Sequence, residues 1–272
     1  MGLGYELIPV DADILSWNMD LDYCKDIGSN TALLAVHNLG NIINIPVLQK
    51  KYPDLVIVED ACEGLFGTHN HSAAGTKSLA SAISFFGNKT ITSGEGGAFL
   101  TNDGDLYHHA FKLTEQGQTY HTRYLHDRLG YNYRMTNVQA AILYGQLKAM
   151  DDICSRKEVI FERYRTAFDD THLVYQNPEK GTCHANWMFG LRFPGKDATN
   201  ISTFLRKKGI DTRPMFFPFS KHDHFKVMSK PDQEEVANTL HKEVIILPSF
   251  PDLTKKEVNY IIETIQEGVC QL

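Results

Sequence analysis

The chain has 272 residues, 42% of them hydrophobic and 22% charged, a make-up that excludes a disordered or collagen-like polymer. A formal charge of −6, from 27 Lys and Arg against 33 Asp and Glu, leaves no basic field for nucleic acid. No apolar run reaches the roughly eighteen residues of a membrane span, and Met1-Gly2-Leu3-Gly4-Tyr5-Glu6 is neither a secretion nor a myristoylation signal, so a cytoplasmic setting is expected.

Taken in chain order, four apolar runs at 33–37, 55–60, 82–86 and 98–101 read as strands, the first two almost continuous, as strands buried on both faces are. A helix at 45–52, with Pro46 in its first turn, sits between the first two and makes a strand–helix–strand crossover. The third and fourth runs flank the turn Ser93-Gly94-Glu95-Gly96-Gly97. Thr136 followed by Gln139 is a capping box, and the apolar positions after it predict a long helical spine through Ile153, Ile160, Tyr164 and Phe168. Beyond it come a strand at 186–193, a polar helix at 201–208, the run Thr212-Arg213-Pro214-Met215-Phe216 and a last helix at 255–267. The organisation that follows is α/β: a large domain at 1–135, a connecting spine at 136–170 and a small α+β domain at 171–272.

Cys24, Cys62, Cys154, Cys183 and Cys270 are odd in number and never form C-x-x-C, so they read as reduced thiols. The pairs His69/His71 and His222/His224 lie in no metal-binding pattern, and no metal is expected. Gly2-Leu3-Gly4-Tyr5-Glu6-Leu7 lacks the third glycine of a dinucleotide fingerprint, and Gly87-Asn88-Lys89-Thr90 lacks phosphate-loop spacing.

Two residues carry chemistry together. Asp60 ends an apolar strand, where open α/β sheets bind ligands, although a helix cap is the simpler use of such an aspartate. Lys89 follows an apolar strand beside Gly87, with no acid nearer in sequence than Glu95; an apolar pocket disfavours the ammonium and frees the amine for Schiff-base formation. A lysine, a carboxylate for a pyridine nitrogen and a phosphate donor such as Ser84 are the parts a pyridoxal phosphate site needs.

The blocks Val58-Glu59-Asp60-Ala61-Cys62-Glu63-Gly64, 84–97 and 130–141, with Thr212-Arg213-Pro214 and Leu247-Pro248-Ser249, resemble the DegT/DnrJ/EryC1/StrS family of sugar aminotransferases. The resemblance implies an aspartate-aminotransferase-like large domain and pyridoxal 5'-phosphate as cofactor. Lys89 would be the Schiff-base lysine and proton carrier, Asp60 the partner of the pyridine nitrogen, Glu63 a neighbour of the phenolic oxygen and Ser84 a phosphate ligand. Asn132 would reach the cofactor phosphate of the other subunit in a homodimer, and His126 and Arg213 are candidate sugar-nucleotide contacts. The implied reaction moves an amino group, with glutamate as donor, to a nucleotide-linked 4-keto-6-deoxy sugar; dehydratase relatives carry histidine in place of the lysine. Family members also possess a segment ahead of the stretch like Gly4-Tyr5-Glu6-Leu7, supplying phosphate-binding amides and a ring-stacking residue. The large domain is therefore expected to be incomplete at its start, and the alternative is a weak or silent remnant, or half of a split enzyme serving as an interaction subunit.

Overall fold

The computed structural model describes residues 4–22, 30–119, 121–225 and 234–269; Cys24 and Cys270 lie outside them. Strands β1 (Ala32–Val36), β2 (Val56–Asp60), β3 (Thr68–His69), β4 (Ser72–Ala73), β5 (Ala80–Ser84) and β6 (Gly97–Thr101) fill the first part, with helix α1 (Ile45–Lys51) between β1 and β2. Then come α2 (Gly104–Thr114), α3 (Asn137–Lys148), α4 (Met150–Phe168), β7 (Val174–Tyr175), β8 (Thr182–Cys183), β9 (Phe189–Arg192), α5 (Ala198–Lys207), β10 (Arg213–Pro214), α6 (Glu235–Glu243), β11 (Val244–Leu247) and α7 (Lys255–Val269).

The first sheet runs β1-β2-β5-β6, parallel except for the antiparallel hairpin of β5 with β6. Its order follows from the crossover read in the sequence: α1 starts at Asn44, whose side chain accepts from the Val47 amide, and Pro46 needs no donor in that turn. Leu33, Ala35, Ile43, Ile45, Leu48 and Ile57 pack together beneath the sheet. The other face carries Leu34, Val36, Val56 and Phe99, all exposed. Strands expected to be buried on both faces are thus covered on one.

The predicted spine is two helices. The capping box is present, Thr136 and Gln139 each closing on the other's backbone, but the helix ends at Lys148 and α4 starts afresh at Met150. The apolar stripe of α4 then packs Ile160, Phe161, Tyr164 and Phe168 into a second core with β9, β11, α5 and α7. Its sheet, β10-β11-β9-β7, is antiparallel. β9 is shorter than the predicted strand because Asn186 adopts φ 52° and breaks the extended run. The third predicted strand also ends early, at Ser84, releasing Phe85 and Phe86 into the following turn. A third apolar cluster joins the two regions: Trp17 and Leu39 pack with Trp187, Met215, Leu240, Val244 and Ile246. A Cβ on Gly190 would come within 2.4 Å of the Trp17 ring, so this glycine is what admits the indole.

Among the described residues no helix is long and apolar enough to cross a membrane. Leu191 is fully buried at the centre of the second sheet. Leu191→Ala is expected to cost about 2–5 kcal/mol, read as a lower urea midpoint at unchanged m-value.

Candidate active site

Successive side chains of β2 point to opposite faces. Glu59 turns inward and is 1% exposed, while Asp60 turns to the open face at the strand's carboxyl end. The Ile43 amide donates to His37 Nδ1 at 3.1 Å, so the ring proton is on Nε2, which donates to Glu59 Oε2 at 2.9 Å. The same carboxylate accepts the amides of Gly75 (2.8 Å), Lys77 (3.3 Å) and Ser78 (3.1 Å). Burial alone would raise the Glu59 pKa, but the donors from His37, Ser78 and Gly75 hold it down to about 2. Gly75 has φ +80°, and a Cβ there would meet Ser81 Oγ at 2.8 Å. These bonds anchor the strand end that presents Asp60.

Asp60 caps no helix. The chain after it makes turns, and Asp60 Oδ1 accepts the Cys62 amide at 3.1 Å, an Asx turn. The same turn carries Glu63, whose Oε2 accepts the Leu39 amide at 2.7 Å. Burial is the main cause that raises the Glu63 pKa to about 7, against the Leu39 bond and the Lys89 charge. Burial and the Asp60 carboxylate push the Cys62 thiol up to about 12, so it is no nucleophile near neutral pH.

Ala82 is the register partner of Asp60, and Ser84 lies two residues further along β5 on the same face. Its Oγ accepts the Phe86 amide at 3.2 Å. The chain then turns, the Lys89 amide donating to the Phe86 carbonyl at 3.0 Å. Ile91, fully buried, ties this turn to Leu143 of α3 and Ile153 of α4. Lys89 Nζ stands 3.9 Å from the centroid of the Trp187 ring. Although Glu95 is its nearest acid in sequence, in space the Lys89 charge acts on Glu63 and Cys62, and so does that of Asp60. The fold thus brings Asp60, Glu63 and Lys89 into one electrostatic neighbourhood, with Ser84 at the end of the adjoining strand.

Lys89 also borders a cleft of about 660 Å³, lined among others by Lys157, Trp187, Arg213 and Tyr260. Arg213 is exposed on β10 and lines that cleft. His126 does not line it; it is exposed and bonds the Gln116 carbonyl through Nδ1 at 2.9 Å. Asn132 is exposed, bridged to Glu115, and stands among the exposed Leu129, Tyr131 and Tyr133.

Three residues escaped the sequence reading. Trp187 was placed only as part of a strand. Lys157, 4% exposed, donates to the carbonyls of Trp187 (3.0 Å) and Ser249 (2.8 Å), and burial lowers its pKa to about 8. Its signal was available: Lys157 lies four residues after Ile153 on the apolar stripe of α4. His184, held between Gln176 and Asn186, is pushed down to about 3 by burial and by Arg165. Among the described residues no group of three or more His, Cys, Asp or Glu could hold a metal ion.

Residues 1–266 match the model of the DegT/DnrJ/EryC1/StrS aminotransferase family. The chain belongs to that family. It is an enzyme of a pyridoxal-phosphate-dependent aminotransferase group. The sequence is 36% identical to the GDP-perosamine synthase of Escherichia coli O157:H7 over 263 residues, 95% of this chain and 71% of that one. The fold superimposes on Helicobacter pylori PseC, an aminotransferase of pseudoaminic acid biosynthesis, with a TM-score of 0.91 at 22% identity, over 99% of this chain and 75% of that one. It also matches the Escherichia coli GDP-4-keto-6-deoxy-D-mannose-3-dehydratase with bound hydrated PLP, at a TM-score of 0.85 and 25% identity, covering 94% and 72%.

The Glu63 carboxyl yields a pH prediction. Between its ordinary value of 4.5 and about 7, the folded chain keeps a proton that the unfolded chain has released. This contribution to stability is complete below the lower value and is lost as pH rises through the upper. Glu63→Gln should therefore gain on the parent steadily from pH 4.5 to 7 in urea titrations; parallel curves would place the carboxylate in water.

Proposed function

We propose that this chain transfers an amino group from an amino acid, glutamate being the donor the family resemblance implies, to the keto carbon of a nucleotide-linked 4-keto-6-deoxyhexose. The observation that carries the reading is the placement of Asp60, Glu63 and Lys89 in one electrostatic neighbourhood beyond the carboxyl ends of β2 and β5. The likeness to GDP-perosamine synthases favours the sugar class, and Lys89 favours amino transfer over the dehydratase chemistry of the same fold.

The residues fit pyridoxal phosphate: a carboxylate at a strand end, a hydroxyl on the next strand and a lysine in the turn that follows. Bound there, the cofactor supplies an electron-accepting ring and an aldehyde that carries the amino group. Asp60 would hold the proton on the pyridine nitrogen and Ser84 would bind the phosphate. Lys89 Nζ would bond the cofactor and move the proton between cofactor and substrate carbons. Glu63, titrating near neutrality, can donate or accept at the phenolic oxygen, and Arg213 offers the cleft a charge for the nucleotide diphosphate. The net exchange is balanced: the donor becomes a 2-oxo acid as the keto sugar becomes an amino sugar.

Two apolar surfaces support a larger working unit. Along segment 125–144, the exposed Leu125, Leu129, Tyr133, Val138, Ile142 and Tyr144 offer a second copy of the chain apolar surface to bury, with Asn132 of the same segment reaching across. The open face of the first sheet, with Leu34 60% exposed, is a second apolar surface that a partner polypeptide would bury.

Borohydride reduction of the loaded protein, followed by peptide mapping, is expected to place the phosphopyridoxyl group on Lys89; label on another lysine overturns the assignment. Asp60→Asn, which keeps size and loses charge, should slow the half-reaction with the amino donor by at least about tenfold. A rate equal to the parent would reduce Asp60 to its turn.

A further inference from the structure

We propose that Trp187 is a positioning residue for Lys89, a platform that holds the lysine amine at the cleft wall whenever it is not bonded to the cofactor. The proposal rests on the reading of Lys89 given above. Lysine carries its charge on a flexible four-carbon stem, and in amino transfer that stem is released and must return once per cycle. An unrestrained stem would lose the geometry that proton transfer and recapture need. The indole face offers the strongest aromatic seat for a cation, and Lys89 Nζ lies 3.9 Å from its centroid.

The platform is itself held on four sides. The indole N–H donates to the Asn88 carbonyl at 3.0 Å, so the ring grips the residue next to the lysine it carries. The Trp187 carbonyl accepts from buried Lys157 at 3.0 Å. On the preceding residue, the Asn186 amide donates to His184 Nδ1 at 2.9 Å, and Arg165 donates to Asn186 Oδ1 at 3.0 Å. Those bonds fix a backbone at φ 52°, a conformation a non-glycine residue adopts rarely. The ring's apolar edge packs with Leu39 and Met215, and the Leu39 amide is the donor to Glu63. One tryptophan therefore bonds the Lys89 turn and shares an apolar cluster with Leu39, whose amide donates to Glu63.

The test uses the full chain without cofactor. Reductive methylation with ¹³C-formaldehyde keeps the lysine charge, and the Lys89 signal is assigned by its loss in Lys89→Gln. An amine over an indole face gives an upfield-shifted methyl resonance. That shift should vanish in Trp187→Leu and shrink in Trp187→Phe, which keeps a ring and the packing but loses the N–H. A Lys89 resonance among those of exposed lysines in the parent overturns the proposal, whatever the loading result.

With cofactor bound, kcat should fall about tenfold in Trp187→Leu and less in Trp187→Phe, with the donor KM unchanged. Equal kcat values, or a change confined to KM, overturn the positioning role. Should Trp187→Leu not fold, the parent and the Phe variant decide. A shifted resonance in a parent whose Lys89 takes no phosphopyridoxyl label overturns the functional reading while leaving the Lys89–Trp187 pair standing.

Discussion

A buried carboxylate organises the sheet edge that presents Asp60. Glu59 is placed by strand alternation in the apolar layer under the first sheet, where an unpaired charge would be costly. It is satisfied by an imidazole N–H from the end of β1 and by three amides from the loop ahead of β5. Those donors come from segments far apart in sequence, so the bonds form only when β1, β2 and that loop are assembled. The charge they stabilise fixes the position of the next residue, Asp60. Replacing any one donor would leave part of a buried carboxylate unpaired, which costs more than the bond it removes.

The second sheet serves the first through a single corner. Lys157 rises from the apolar stripe of α4 and ties two backbone carbonyls, those of Trp187 and Ser249, to one ammonium. Burial disfavours its charge, yet both acceptors would otherwise be left without it. Trp187 then extends from that anchored backbone to the Lys89 turn, and Ile91 pins the same turn from the other side through α3 and α4. The lysine turn is thus held between two packed clusters, although the turn itself lies at the edge of an open cleft.

The parallel strands, the crossover helix, the capping box and the last helix were legible because each has a local cause: an apolar run, Pro46 in a first turn, the Thr136–Gln139 reciprocity, a stripe at helical spacing. Asp60 and Lys89 stand out by residue type and strand-end position, and the fold places both charges close enough to act on Glu63 and Cys62. The break at Ala149 between α3 and α4 carries no Gly or Pro and left no mark in the pattern. Asn186 looked like part of a strand because its left-handed backbone is imposed by His184 and Arg165, which are distant or side-chain contacts. β11, four apolar residues at the core of the second sheet, was overlooked because a run so short is not distinguishable from a buried stretch of helix. The His184 environment depends on tertiary burial, which spacing alone does not report.

Asp60, Ala82, Ser84, Val36 and Phe99 share the open face of the first sheet by register. The residues proposed to bind the cofactor therefore emerge on the same surface as the exposed apolar side chains, not on a separate wall. A partner covering Leu34, Val56 and Phe99 would also roof Asp60, exclude water from it and lower the local dielectric, which would strengthen the hold proposed for Asp60 on a protonated ring nitrogen. Burial of the sheet face and completion of the site are, in this geometry, one event. The opposite is true of the cleft beyond Lys89, whose walls of Trp187, Lys157 and β11 are already packed without help. The chain accordingly has a packed cleft wall on one side and, on the other, an open sheet face whose burial would complete the proposed site.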